Sequence, residues 1–503
     1  MMSEKRITFG DVSLRDGAQS QWAMNMSYGM YDAVAEELDQ AGYNYIELPM
    51  HAVYMKMAVR YFKENPWETM KIFKQKITRT KKSHVILDCL DVLGESESRA
   101  VVRFFYELAA RTVGGHRFFT LSNTRDEIER YFPWLIPIAR DIGLELMLAI
   151  CYYPTPRRDD KYYADLTKKI VKWKPDMIQL KDAGGLLSLD RIRTLLPAIQ
   201  KEAKGIPIEL HTHGMSTYQG LVVVEAMKLG VDCIHTCVPP LASGSSHVSI
   251  FNAMHNAKVL GLKHNIVNKD SLKVVEERLN RIAKLENLPI GAPLEYDHGV
   301  YTHQVPGGVI SNLRNQLGQL GIAHKLDEVL EEVVRIIDDL GNPIMITPAS
   351  QFIVSQAAVN VATGARYKEI LDCMIETAVG VWGWEDAGVP YMNQNIRDKF
   401  LSHPNAKIIQ EKWDQKQEIQ SQEGSIEKLR ATYGMTHATD EDFMLYHIMK
   451  GDEEIRQIRK PYKTYYTGKE PLVLLLKELS KDHDISRLQL QKGKTLFEFR
   501  QKS

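Results

Sequence analysis

The sequence predicts an α/β fold: a closed barrel of parallel strands wrapped by helices, followed by a mainly helical C-terminal domain. Three observations predict it. Strand-like and helix-like periods alternate through roughly the first 260 residues. Strands disappear from about residue 270 onward. The turn after the first strand, SLRDGAQS, is not the glycine-rich phosphate turn of a doubly wound open sheet.

The elements follow in order. ITFGDV (7–12) alternates as a strand, and after Ser27 a helix carries Met30, Ala33, Val34 and Leu38 on one face until Gly42 closes it. YIELP is the second strand, with a helical pattern around Met55 to Phe62. HVILDC is the third, and its helix presents Val101, Phe105 and Leu108. HRFFTL is the fourth, and Thr124 with Glu127 forms a capping-box pair for the helix behind it. LELMLAIC, DMIQL, PIELHTH and DCIHTC continue the series, each followed by a helix-period stretch, which brings the strand–helix units to eight. Eight units in about 250 residues are the footprint of a TIM (β/α)8 barrel, where residues just past the strand C-termini line the active face. Beyond it, Leu272, Val275, Leu279 and Ile282, then Leu326, Val329, Val333 and Ile337, keep helical spacing. A barrel domain is expected over 1–300 and a mainly helical domain over 301–503, the latter contributing to the active-site funnel. Both a solvated helix and a linker fit the polar stretch 405–432, and LQLQKGKTLFEFR reads as a small hairpin around Lys492 and Gly493.

Composition narrows the function. With 64 basic and 64 acidic residues there is no net field to recruit nucleic acid or an anionic membrane, which leaves small-molecule chemistry. No apolar run approaches the roughly 18 residues of a membrane span, and MMSEKRITFG has no signal or transit pattern, so a cytoplasmic location is expected. Five cysteines, Cys89, Cys151, Cys233, Cys237 and Cys373, are an odd number thinly spread, which suits reduced thiols. CIHTC puts Cys233, His235 and Cys237 on one strand face, but tetrahedral zinc there lacks a fourth ligand, and buried cysteine is ordinary core.

Chemistry gathers at the strand ends. Strand one ends in Leu14, Arg15 and Asp16, strand four contains Arg117, strand six ends in Lys181 and Asp182, and strand seven carries His211 and His213. Histidines at i and i+2 face the same way, and with Asp16 from another strand they make three ligands for a divalent metal. A lone HxH is more often two packed or solvated rings; the independently placed Asp16 is what favours a metal. Lys181 is either a solvated strand end or a group whose charge has been changed to suit a site. Arg15, Gln19 and Arg117 suit a substrate with a carboxylate beside a carbonyl that the metal polarises, which implies enolate chemistry. A structural ion pair is the alternative for each arginine.

Taken together, DVSLRDGAQS (11–20), NPWETM (65–70), HRFF (116–119), LKDAGGLLSL (180–189), ELHTHG (209–214), VYTHQVPGGVISNL (300–313) and ITPAS (346–350) resemble, in the same order, the biotin-dependent carboxyltransferases. These are the carboxyltransferase parts of pyruvate carboxylase, oxaloacetate decarboxylase and transcarboxylase. TDEDFMLYHIM (439–449) is similar to a weaker continuation. The resemblance implies that Lys181 is carboxylated and that its carbamate joins Asp16, His211 and His213 as a metal ligand, where an ammonium would be repelled. It implies that Arg15, Gln19 and Arg117 hold the keto acid, and that Thr347 passes a proton between the substrate carbon and the ureido nitrogen of biotin. Thr347-Pro348 is equally a good helix start.

The implied activity is transfer of a carboxyl group between carboxybiotin on a separate carrier protein and a small keto acid of the pyruvate/oxaloacetate type, through a metal-stabilised enolate. Zinc, cobalt and manganese all suit such ligands. The implied partners are a biotin carboxyl carrier protein, a biotin carboxylase or a membrane decarboxylase subunit, and a second copy in a homodimer. Met55-Lys56-Met57 repeats the biotinylation tripeptide but lies between the second strand and its helix, so no covalent biotin is expected on this chain. Two runs depart from the family: LPMHAVYMKM and LDCLDVLG replace the usual barrel-mouth sequences, so the keto acid stays open. The alternatives are a biotin-independent lyase or aldolase of the HMG-CoA lyase type, whose members lack the lysine, and a non-catalytic scaffold subunit of a carboxylase complex.

Overall fold

The computed structural model describes residues 6–49, 51–85, 97–122, 125–305, 313, 317–318, 322–345, 349–385, 387–451, 453–459, 487–492 and 495–500. Cys89, Thr124, Thr347, the segment 306–312 and the LDCLDVLG run lie outside them.

Eight parallel strands form the barrel: β1 (Arg6–Asp11), β2 (Tyr45–Leu48), β3 (Lys81–Val85), β4 (Arg117–Ser122), β5 (Glu145–Cys151), β6 (Met177–Asp182), β7 (Ile208–Thr212) and β8 (Cys233–Thr236). Each pairs with the next, and β1 closes the ring by pairing with β8 (Thr8 opposite Cys233) and β2 (Asp11 opposite Ile46). A ring covered by helices buries both strand faces, which is why β5 reads as a near-continuous apolar run. All six residues of β6 are buried, Gln179, Lys181 and Asp182 included. The π-helical turn Ser13–Gly17 follows β1 and carries Arg15 and Asp16, which the periodicity had extended into the strand.

The outer helices form where the apolar spacing predicts them. Tyr28–Gln40 starts after Ser27 and buries Met30, Ala33, Val34 and Leu38; Arg99–Val113 buries Val101, Phe105 and Leu108 and ends on Gly114 at φ +66°. Between β2 and β3 the chain makes one helix more than the periodicity indicated: after Ala52–Met57, Asn65 caps Pro66–Lys76 by accepting the Trp67 N–H at 3.0 Å, with Pro66 in the first turn, where its missing N–H costs nothing.

Past the barrel, Lys269–Leu285 packs beside Tyr28–Gln40. A second apolar core gathers Val329, Val333 and Ile336 of helix Leu326–Asp339 with Ile353, Ala357, Met374 and Phe400. Helix Asp440–Ile448 returns to the barrel, where Met444, Leu445 and Ile448 join the first core and Trp67 Nε1 donates to the Glu441 carbonyl at 2.9 Å. The polar stretch after residue 405 is helical over Asn405–Ser421 and Ile426–Thr432, and Arg487–Lys492 pairs antiparallel with Thr495–Arg500. No helix among the described residues is long and apolar enough to cross a membrane.

One close approach fixes the mouth. Gly214 donates its N–H to the Ser246 carbonyl at 2.9 Å, and a Cβ on Gly214 would sit 2.4 Å from the Gly244 carbonyl oxygen. The loops after β7 and β8 therefore lie against each other as backbone on backbone. Gly214→Ala is expected to cost about 1–3 kcal/mol in denaturant unfolding, because the loops must part. Gly220→Ala, at an exposed helical position with open space around it, is expected to stabilise by up to about 1 kcal/mol.

Candidate functional site

The barrel brings Asp16, His211 and His213 together and adds His247, all buried, with one ligating atom of each within 4.8 Å of the others. His211 lies in β7 opposite Lys181 of β6, and His213 follows immediately after the strand ends. Asp16 Oδ2 lies 3.0 Å from His211 Nε2, 3.5 Å from His213 Nε2 and 3.4 Å from His247 Nε2. Arg15 flanks it, its guanidinium 3.1 Å from Asp16 and 2.8 Å from Glu47. Burial favours a protonated Asp16, but Arg15 and the histidines outweigh it and hold the carboxyl well below its usual range.

The hydrogen bonds beneath the cluster hold the imidazole rings in place. Glu209, fully buried in β7, is held down to about 2 against burial by His235 and Arg117, so it is a carboxylate. It accepts from Gln179 at 2.7 Å and from the Tyr45 hydroxyl at 3.0 Å, and lies 3.0 Å from His235 Nε2. His235 Nδ1 is 2.9 Å from His211 Nδ1, and the Tyr45 hydroxyl also reaches His235 Nε2. His213 Nδ1 lies 2.8 Å from the Ser245 carbonyl, a pure acceptor, so Nδ1 carries a proton and Nε2 faces Asp16. The Nε2 atoms of His211 and His213, 3.1 Å apart, both turn to the Asp16 carboxylate, and each ring is held at Nδ1 by a further partner, an arrangement typical of metal ligands.

Lys181 is buried beside this cluster, and burial first, then Arg15, lower its pKa. Its neighbour Asp182 closes the LKDAGGLL turn, accepting from Leu186 N at 2.7 Å, Leu187 N at 3.0 Å and Thr212 Oγ1 at 2.8 Å. Gln19 is exposed at the mouth, 3.5 Å from Arg15 Nη1. His51, on the departing LPMHAV run, is buried near Arg15 and pushed down to about 3 by burial and that guanidinium.

Arg117 is placed differently from the substrate-facing position expected of it. It lies inside the barrel beneath the imidazoles, 3.1 Å from Glu209 and 4.0 Å over the Tyr45 ring, the ion-pair alternative. Cys233 and Cys237 are buried thiols raised by burial, and the ring between them, His235, serves the network above rather than a zinc site. His247 is absent from the sequence-derived ligand set. It sits in a Ser/Gly loop that has no period, and its only sequence signal is a histidine ten residues past a strand whose neighbours already supply ligands.

The residues fit a divalent cation: two imidazole nitrogens converge on an ionised carboxylate, and Arg15 Nε, Glu47 Oε2 and both His247 nitrogens are buried without hydrogen-bond partners. Comparison with known proteins points the same way. Residues 6–277 match the HMGL-like family and residues 300–496 the conserved carboxylase domain. A pyruvate carboxylase subunit of Methanocaldococcus jannaschii is 28% identical over 83% of this chain and 74% of its own. The 2-oxoglutarate carboxylase large subunit of Hydrogenobacter thermophilus is 29% identical over 75% of this chain and 58% of its own. The carboxyl transferase domain of Rhizobium etli pyruvate carboxylase, in its Y628A form with pyruvate, superposes with a TM-score of 0.77 at 19% identity, covering 89% of this chain and 76% of that one.

Removing one partner of the buried Arg117–Glu209 pair should be costly. Arg117→Met is expected to lower unfolding stability by about 3–5 kcal/mol, and adding Glu209→Gln to recover part of it. Glu209 has its pKa depressed in the folded state, so its contribution is complete above its usual 4.5 and is lost as pH falls towards about 2. Glu209→Gln should therefore show a flatter acid limb than the wild type across that window in pH-dependent denaturation.

Proposed function

Because the chain belongs to the biotin-dependent carboxyltransferase family, we propose that it exchanges a carboxyl group between carboxybiotin, presented on a separate carrier protein, and a small keto acid of the pyruvate/oxaloacetate type. The observation that carries this reading is the buried Asp16–His211–His213 cluster with the Arg15 guanidinium beside it. Asp16, His211 and His213 would hold a divalent cation, whose chemistry when bound would be Lewis-acid polarisation of a keto oxygen.

The chain's own groups do the rest. Arg15 orients the substrate carboxylate: its Nε has no partner, and its planar fork matches a carboxylate next to the cluster, with Gln19 at the rim as a second polar contact. Arg117 acts from below, holding Glu209 ionised beneath His235 and His211. Lys181 has the depressed pKa that a carbamate requires: the neutral amine attacks the carbon of carbon dioxide, loses one proton and becomes an anionic oxygen ligand. Thr347 is assigned the proton relay between substrate carbon and the ureido nitrogen. The same reading gives the chain a biotin carrier protein, a biotin carboxylase or a membrane decarboxylase subunit, and a second copy as partners, in the cytoplasm.

The test is turnover of pyruvate, 2-oxoglutarate and oxaloacetate with and without a biotinylated carrier. Carrier-dependent exchange is expected; carrier-independent cleavage would instead favour a lyase of the HMG-CoA lyase type. Arg15→Lys is expected to keep the bound metal and lower kcat/KM by at least roughly tenfold, about 1.4 kcal/mol, through loss of the fork. Wild-type kinetics in that variant would remove Arg15 from substrate binding.

A further inference from the structure

His247 comes from the loop after β8, and that loop is tied on several sides. Ser243 donates to the His247 carbonyl at 2.7 Å, Gln21 Nε2 donates to the Ser243 carbonyl at 2.6 Å, Ser245 Oγ donates to the Ser20 carbonyl at 2.9 Å, and Gln219 Nε2 donates to the Ser246 carbonyl at 3.0 Å. The result is a fully buried imidazole whose ring centroid lies 4.3 Å from that of His211 and 4.4 Å from that of His213. Neither ring nitrogen makes a hydrogen bond, with Nε2 3.4 Å from Asp16 Oδ2.

Burying a polar ring nitrogen without a hydrogen bond is unfavourable, so a fold that ties its loop this firmly needs something at the ring. The neighbours say what. His211 Nε2 and His213 Nε2 are 3.1 Å apart and lie 3.0 Å and 3.5 Å from Asp16 Oδ2, so three groups of ligating type already face the point that His247 Nε2 also approaches.

We infer that His247 is a metal ligand, and that Asp16, His211, His213 and His247 bind a divalent cation of the zinc or cobalt type while Lys181 is still an unmodified amine. The inference rests on the cluster being a metal centre and adds that its fourth side-chain donor is built into the sequence. A carbamate on Lys181 then tunes a centre that already exists instead of creating it.

The full-length protein, stripped by chelator, is titrated with Co2+ in buffer depleted of carbon dioxide and bicarbonate, reading the visible d–d bands and competition with a chelator. Wild type and Lys181→Ala are expected to bind within about threefold of each other, and His247→Ala to bind at least roughly tenfold more weakly, as losses in a ligand shell do. Circular dichroism and melting of the metal-free proteins check that each variant is folded. If His247→Ala does not fold, a crystal structure of Co2+-loaded wild type from the same buffer decides, with a His247 nitrogen expected at about 2.1 Å from the metal. Equal affinity in wild type and His247→Ala, binding by wild type only after bicarbonate is restored, or a loaded structure with His247 turned away would each overturn the inference and leave the metal centre standing. No Co2+ binding by wild type with bicarbonate present would remove the metal centre itself, and the inference with it.

Discussion

One ionised carboxylate inside the barrel holds the rings above it in place. Glu209 is fully buried and bonded to Gln179, Tyr45, His235 and Arg117, so no water is needed to hold its charge. His235 in turn meets His211 Nδ1 with its own Nδ1 at 2.9 Å, so the ring that faces Asp16 is positioned from below. A barrel filled only with Val, Ile and Leu would pack as well but would leave that ring without this support. The polar interior is therefore part of the site.

Much of this was legible in the sequence. Eight alternating periods are local signals, and the closed ring follows from them because parallel strands of that number have one common way to avoid an edge. Asp16 and the HxH pair were also legible: each marks a strand end, and strand ends in such a barrel converge. What escaped is what depends on stagger between strands. Arg117 opens β4 and Glu209 lies in β7, and only the barrel's tilt brings a guanidinium from one strand end beneath histidines of another. His247 escaped for a different reason. It is delivered by a loop, and loops carry no period to reveal which way a side chain turns. Pro66–Lys76 had a readable start signal in Asn65-Pro66, but its apolar residues follow too closely on the preceding helix to stand out as a separate element.

Among the described residues the helical half meets the barrel at several places. Its own core surrounds helix Leu326–Asp339, while helix Asp440–Ile448 packs its Met444, Leu445 and Ile448 into the barrel's core on the side of Trp67. Close to the mouth, Ile344 lies against Cys151 and Tyr153. The C-terminal half thus touches both the flank of the barrel and the end of β5 beside Lys181.

The contact between the loops after β7 and β8 lies in one arc of the mouth. From β6 round to β1 the loops are locked to each other by backbone: Gly214 against Gly244, His213 N on the Asp182 carbonyl, Ser245 on Ser20. Asp16, His211, His213 and His247 all belong to that arc, so the inorganic site behaves as one mechanical unit: a substitution that parts two of its loops is felt by all four groups.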